Sequence, residues 1–134
     1  MPVAIPTMRL ARHCNPFTNS PWGTKVTRRD VQNALADRRL VSLPDTDDHA
    51  GRIAYLVENE AEDAIEVDVG VPALNCYTSW LVQDGNHRLA AAIYANRPTI
   101  KASVGGQMDY AMELFGVDCC EQEYGENNSP VPQS

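Results

Sequence analysis

The fold depends on one stretch of sequence, WLVQDGNHRLAAA at residues 80–92. Its apolar first part predicts a short strand over 79–83. The pair Asp84-Gly85 predicts a sharp bend, because glycine reaches backbone conformations that are closed to other residues. The alanine-rich remainder predicts a helix over 86–95. We therefore expect a strand that runs directly into a helix through a glycine turn.

A turn of this kind is typical of a phosphate-binding site. The start of the helix leaves the backbone N–H groups of Asn86, His87 and Arg88 without partners inside the helix, and the helix dipole adds positive potential. Arg88 can add a fork of hydrogen bonds to phosphate oxygens. His87 can donate from a ring nitrogen or carry a proton near neutral pH, and Asn86 can cap the helix or bind the ligand. We expect Gly85, Asn86, His87 and Arg88 to bind the phosphate group.

Asp84 is the acidic member of the turn, and its position allows several roles. It can orient Arg88 or His87, or it can hold a Mg²⁺ ion that bridges phosphate oxygens. If the site is catalytic, we expect the reaction to depend on Asp84, His87 and Arg88. The alternative is purely structural: Asp84-Gly85-Asn86 forms a turn and a helix cap, Arg88 lies at the surface and His87 packs under a loop.

The same turn resembles the motif of the ParB/sulfiredoxin superfamily, in which glycine, arginine and alanine follow a G-x-x-R-x-x-A spacing. The matching residues here are Gly85, Arg88 and Ala91, with His87 directly before the arginine. The resemblance covers residues 48–105, where the order of the predicted elements also fits. It implies a nucleotide-binding domain that takes ATP or CTP with Mg²⁺, and NTP hydrolysis or phosphoryl transfer as its activity.

Two departures from the family narrow this expectation. Sulfiredoxins have a catalytic cysteine directly before the motif histidine, and this sequence has Asn86 there. The sulfiredoxin reaction is therefore not expected. After the last predicted strand there is no room for the helix-turn-helix and dimerisation regions of partition proteins, so a partition role is not expected either. The resemblance then implies a stand-alone ParB-like core of the kind that phages and plasmids encode.

The other segments predict the elements that surround this turn. Thr27, followed three residues later by Asp30, is typical of the capping box that begins a helix. Gly116 is typical of a helix end. Further helices are expected over 27–39, over 48–59 and from Met108 to Phe115, and further strands over 65–71 and 99–104. Residues 1–26 are expected to be irregular, with a short strand at Val3–Ile5 or Met8–Leu10.

These elements predict an α/β (α+β) fold with a small mixed sheet and flanking helices, similar to the ParB/sulfiredoxin fold. We expect one domain over residues 1–118, with its core at about 48–105. A flexible polar tail is expected over 119–134, because this segment is polar and contains proline.

The composition restricts the partners of the protein. A net charge of −7 argues against extensive nucleic-acid binding, which works by replacing counterions with Lys and Arg. No apolar run approaches the roughly 20 residues that cross a bilayer, and the first residues lack a secretory signal segment. We therefore expect no membrane association and a cytoplasmic location. The four cysteines do not follow a zinc-binding spacing.

Two other functions remain open at this point. One is a non-enzymatic phage or plasmid protein that binds and modulates a host protein through its acidic surface. The other is a DNA-binding module or nuclease. Outside the turn, Glu66 and Asp68 share one face of a predicted strand and can bind a metal or act as a base, although a solvated strand face is the favoured explanation. We interpret His49 as a residue at a helix start, and Trp22 as either a packing residue or part of a partner surface.

Overall fold

A computed structural model describes residues 2–119 of the chain. It contains four strands, β1 to β4, and five helices, α1 to α5. In chain order these are β1 (Val3–Pro6), α1 (Thr7–Ala11), α2 (Arg28–Ala36), α3 (His49–Glu58), β2 (Ile65–Asp68), β3 (Val82–Asp84), α4 (Asn86–Tyr94), β4 (Thr99–Gly105) and α5 (Met108–Phe115). A short 3₁₀ turn at Pro72–Leu74 lies between β2 and β3.

The strands form one mixed sheet in the order β1-β4-β2-β3. The central strand β4 pairs antiparallel with β1 and parallel with β2, and β3 is added antiparallel to the free edge of β2. The predicted α+β class, a small mixed sheet with flanking helices, is confirmed. Because Glu66 of β2 lies opposite Asp84 of β3, this pairing places the end of β3 beside β2.

Helix α4 joins the two hydrophobic clusters of the fold. Leu89 and Ile93 pack in the cluster around the sheet. Ala90 and Ala91, both fully buried, pack in a second cluster with residues of α2 and α3. Small side chains on this face allow α3 to lie close against α4. Because α4 is buried on two faces, packing fixes its position at the end of β3. The alanine-rich sequence after the turn therefore has a packing role.

Most helices agree with their predictions because their end signals are local. Thr27 and Asp30 form the expected capping box at the start of α2. The Asp48 side chain accepts a hydrogen bond from the backbone N–H of Gly51, which caps α3. Gly116 ends α5 with a φ of 75°. Helix α2 stops at Ala36, three residues earlier than predicted, and Arg38 takes a left-handed φ of 56°.

The N-terminal segment contains more regular structure than predicted. The strand lies at Val3–Pro6, so the alternative location at Met8–Leu10 is wrong. Those residues belong to α1. The residues that α1 buries are Thr7, Leu10 and Ala11, a spacing that matches one face of a helix and not one face of a strand.

Two strands are shorter than predicted. Strand β2 ends at Asp68 and not at residue 71, because Gly70 takes a φ of 78° and its N–H bonds the side chain of Asp68 at 2.9 Å. Strand β3 begins only at Val82. The burial pattern of β2 agrees with the predicted alternation. Glu66 and Asp68 are exposed, whereas Ile65 and Val67 are buried.

The C-terminal boundary also differs from the prediction. Cys119, the first residue of the predicted tail, is 2% exposed and packs in the cluster around the sheet. Residues 120–134 lie outside the described residues. Within residues 2–119, no helix has both the length and the apolar character needed to span a bilayer.

The capping box of α2 gives a first testable prediction. Thr27→Ala removes the side-chain oxygen that accepts from the Asp30 N–H at 3.1 Å. We expect a loss of about 1 kcal/mol in the free energy of unfolding, measured in urea. Thr18→Ala, at an exposed loop position, is the matched control and should change little. Equal losses in the two variants would contradict a capping role.

Candidate functional site

The turn between β3 and α4 has the sharp bend that the sequence predicts. Gly85 takes a φ of 105° and is the N-cap of α4, without a side-chain cap. A Cβ atom at this position would lie 2.7 Å from Cβ of Ile65 and closer still to its Cγ2. Glycine is therefore required at position 85 for two reasons. Its φ is unfavourable for other residues, and a side chain would clash with Ile65 of β2.

Arg88 lies at this bend, and the protein itself occupies part of its guanidinium. Nη1 donates to the backbone carbonyls of Asp63 at 3.0 Å and Ala64 at 3.1 Å. Nη2 contacts the carboxylate of Asp84 at 3.2 Å. These bonds engage three of the five N–H donors of the side chain, two at Nη1 and one at Nη2. Of the roles predicted for Asp84, the structure shows the contact with Arg88.

His87 is held by a second histidine. Its Nε2 lies 3.0 Å from Nδ1 of His49, so one ring donates and the other accepts. Burial is the main cause that lowers the pKa of His87 to about 4, and the charges of His49 and Arg52 lower it further. A neutral His87 at neutral pH favours the first of its two predicted roles, donation from a ring nitrogen, over carrying a proton. Its Nδ1 remains as the second ring nitrogen that can contact a ligand.

Trp22 covers the two histidines. Its ring centroid lies 4.7 Å from that of His87 and 5.0 Å from that of His49, with interplanar angles of 12° and 14°. The two imidazole centroids are 5.2 Å apart and their rings are nearly parallel, as expected for rings joined edge to edge by the hydrogen bond. Trp22 thus stacks on a flat imidazole pair, and it has the packing role that was one of its two predicted roles.

Asn86 holds the turn through its side-chain amide. Its Oδ1 accepts from Nε1 of Trp80 at 2.8 Å, and its Nδ2 points to the carbonyl of Val82 at 3.4 Å. The N-cap is Gly85, so the predicted capping role of Asn86 is wrong. The backbone N–H of Asn86 still lies in the first turn of α4, where it can contact an anion.

These residues line a cavity of about 280 Å³, which we call the turn cavity. Its walls are residues 83–88, Trp22, Pro44, Arg52 and Leu56. Two guanidinium groups, those of Arg52 and Arg88, therefore lie on one cavity beside the N-terminus of α4.

Arg52 is the functional candidate that the sequence analysis missed. Its Nη1 donates to the carbonyl of Ser42 at 2.7 Å, while its Nε is buried without a hydrogen-bond partner among the described residues. Burial lowers the pKa of the Arg52 guanidinium, and repulsion from Arg88 acts in the same direction. Arg52 stays protonated, so this position favours an anionic partner. The only signal in the sequence was its place one turn after His49 on the same predicted helix.

The carboxylates around Asp84 limit how a metal ion could bind there. The Asp84 side chain is 69% exposed and paired with Arg88, and Glu66 lies opposite it across the strands. Within residues 2–119, no three His, Cys, Asp or Glu side chains form a group suited to a metal ion. A Mg²⁺ ion here would therefore take one or two carboxylates from the protein and its other ligands from phosphate oxygens and water.

The fold and the site define a small α+β protein with a cationic cavity at a strand-to-helix turn. Comparisons with protein-family models, curated proteins and solved structures gave no match. The relation to the ParB/sulfiredoxin superfamily therefore remains a prediction, based on residues 84–92 and on the order of the elements.

Proposed function

We propose that this protein binds the phosphate groups of a nucleotide, ATP or CTP, in the turn cavity. The observation that carries the proposal is the presence of two guanidinium groups, those of Arg52 and Arg88, on one cavity at the start of α4. Burial desolvates the Arg52 guanidinium, so an anionic partner is favoured there, and the Nη groups of an arginine can donate to phosphate oxygens.

The charges around the cavity support an anionic ligand. Arg88 is only 20% exposed, whereas its carboxylate partner Asp84 is 69% exposed. Water screens the exposed carboxylate well, so its negative charge only partly cancels the positive charge of the buried guanidinium groups. The nine-residue helix α4 adds its N-terminal amides and its dipole to the same point.

Apolar side chains lie beside the cationic end of the cavity, where the sugar or base of a nucleotide would lie. Trp22, Pro44 and Leu56 supply apolar surface beside the cationic end. Asp84 is the residue that would hold Mg²⁺ on the phosphates, because its carboxylate is exposed at the cavity mouth. The predicted similarity of residues 84–92 to the ParB/sulfiredoxin motif agrees with this class of ligand.

Hydrolysis or phosphoryl transfer at the same site belongs to this proposal as its second part. Since burial keeps His87 neutral, it cannot act as a general acid near pH 7. Any reaction would then depend on charge neutralisation by Arg52, Arg88 and Mg²⁺, as in other phosphoryl transfers. Release of inorganic phosphate from ATP or CTP, with and without Mg²⁺, measures this second part independently of binding.

A thermal-shift panel with ATP and CTP, each with and without Mg²⁺, tests the binding. A nucleotide at 100 times its Kd should stabilise the protein by about 2.7 kcal/mol. Arg52→Met should weaken the binding about tenfold, because it removes one charge-assisted bond of about 1.4 kcal/mol. Arg52→Lys keeps the positive charge but removes the paired N–H donors of the guanidinium, so it should give an intermediate affinity.

Two controls make the result decisive. Arg12→Met removes an exposed arginine outside the turn cavity and should leave the nucleotide shift unchanged. The unliganded melting temperature of each variant shows whether the fold is intact. The proposal is refuted if neither nucleotide nor tripolyphosphate stabilises the protein, or if Arg52→Met and Arg12→Met bind equally well.

A further inference from the structure

A second cavity, of about 440 Å³, lies on the other side of Arg88 from the turn cavity. We call it the loop cavity, because residues 60–63 between α3 and β2 form one of its walls. The opposite walls come from α4, β4 and the connection between them, through Ala92, Arg97 and Lys101. Arg88 and Leu56 line both cavities.

Backbone carbonyls of α3 and of the loop hold the cations of the loop cavity in place. Arg97 donates from Nη2 to the carbonyls of Leu56 and Val57, both at 3.0 Å. Lys101 donates from Nζ to the carbonyl of Glu62 at 2.9 Å. Since each bond uses only some of the N–H donors of its side chain, Arg97 and Lys101 keep further donors for a ligand. The cationic wall is preorganised, which lowers the entropy cost of binding.

The rest of the cavity wall is apolar. Leu56, Ile65 and Ala92 line it and are at most 3% exposed, and half-buried Ile100 lies beside them. A hydrated inorganic ion would make no use of this surface. The lining therefore fits a ligand with a hydrocarbon body and one charged end.

The sign of that charge follows from how deeply the charged side chains are buried. Arg88 and Arg97 are 20% and 19% exposed. Glu60, the carboxylate closest to Arg97 at 3.8 Å, is 71% exposed, and Glu62 and Asp63 are exposed as well. Three cations and three carboxylates line the cavity. Water screens the exposed carboxylates more than the two guanidinium groups, so the deeper part of the cavity favours an anion.

We propose that the loop cavity binds a small aliphatic carboxylate, with its carboxylate on Arg97 and Lys101 and its hydrocarbon chain against Leu56, Ile65 and Ala92. Guanidinium and ammonium groups are the donors that a carboxylate prefers. The hydrocarbon chain supplies the affinity that an exposed charge pair alone does not. This site adjoins the nucleotide site through Arg88 and Leu56, but its proposed carboxylate ligands, Arg97 and Lys101, lie outside the turn cavity, so the proposal does not depend on nucleotide binding.

A titration with acetate, butyrate and hexanoate, followed by amide NMR chemical shifts, tests the proposal. The affinity should rise about fourfold for each added methylene as the chain covers the apolar wall. The shifts should concentrate in residues 60–64 and 97–101. 1-Hexanol, which has the same chain without the charge, should bind at least tenfold more weakly than hexanoate.

Two variants locate the ligand. Lys101→Met, at an exposed position, should weaken hexanoate binding about fivefold, whereas Lys25→Met, at an exposed position outside the cavity, should have no effect. Ala92→Met puts side-chain volume into the cavity and should abolish binding. If Ala92→Met fails to fold, Lys101→Met still decides the question.

The outcomes separate this proposal from the nucleotide site. Arg52→Met lies outside the loop cavity and should leave hexanoate binding unchanged. Equal affinities for acetate and hexanoate, equal affinities for hexanol and hexanoate, or equal effects of Lys101→Met and Lys25→Met would each overturn the carboxylate site.

Discussion

Gly85→Ala is expected to destabilise the protein by about 3 kcal/mol. Two effects add at this position. A φ of 105° is strained for any residue with a Cβ and costs on the order of 1 kcal/mol or more. The new Cβ would also lie 2.7 Å from Cβ of Ile65, and relieving such overpacking against a buried strand costs about 1–3 kcal/mol. The loss is measured as the free energy of unfolding in urea.

Gly23→Ala is the matched control for this change. Gly23 also has a positive φ, 78°, but a Cβ added there would have no atom within 4 Å among the described residues outside its chain neighbours. It should therefore show only the backbone strain, about 1 kcal/mol. The difference between the two variants isolates the contact with Ile65. Equal losses would mean that Gly85 does not approach β2 closely, and the geometry of the turn cavity would then be incorrect.

The elements that the sequence predicted well are those whose signals lie within a few residues. The capping box at Thr27 and Asp30 and the helix end at Gly116 both depend on local hydrogen bonds and backbone conformation. The strand ends were less predictable. Gly70 ends β2 through a left-handed φ, although the apolar alternation continues past it. An alternating apolar pattern indicates which side chains are buried, but it does not show where the hydrogen bonds between strands end.

The candidate site was only half predictable for the same reason. Gly85, Asn86, His87 and Arg88 follow one another in the chain, and their pattern indicates a turn with exposed amides. The partners that define their chemistry come from distant segments. His49 bonds His87 across 38 residues, and no local pattern predicts that contact. The protonation state of His87 depends on this contact and on burial, so sequence alone could not give it.

Arg52, rather than Arg88, is the better position at which to test phosphate binding. Arg88 holds the carbonyls of Asp63 and Ala64, and it lines both cavities. Its removal would leave these carbonyls unpaired, so a loss of binding in Arg88→Ala would have two explanations. Arg52 lines only the turn cavity of the two. Arg52→Met also leaves a carbonyl unpaired, that of Ser42, but it does not alter the loop cavity, so the Arg52 variants report on one cavity alone.

The buried imidazole pair predicts a loss of stability in mild acid. The pKa of His87 falls from an ordinary value of 6.5 to about 4 in the folded protein. Between these two values the unfolded chain binds a proton at His87 and the folded chain does not. Stability should therefore be unaffected by His87 above pH 6.5, fall as the pH drops towards 4, and change no further below that. The full shift in pKa corresponds to roughly 3 kcal/mol of stability. Because the ring is only partly buried and solvent screens it, the expected loss is about 2 kcal/mol.

Urea unfolding of the protein and of His87→Gln at pH 7.5, 6.5, 5.5 and 4.5 measures this effect. Glutamine cannot titrate, so His87→Gln should lose about 2 kcal/mol less than the wild type over this range, although it is less stable at pH 7.5. The carboxylates of the chain titrate in both proteins, so their contribution cancels in the comparison. His13→Gln, at an exposed position, should keep the full pH dependence of the wild type. If His87→Gln and wild type lost the same stability between pH 6.5 and 4.5, His87 would not be held neutral by burial, and it would be free to carry the charge that a phosphate group favours.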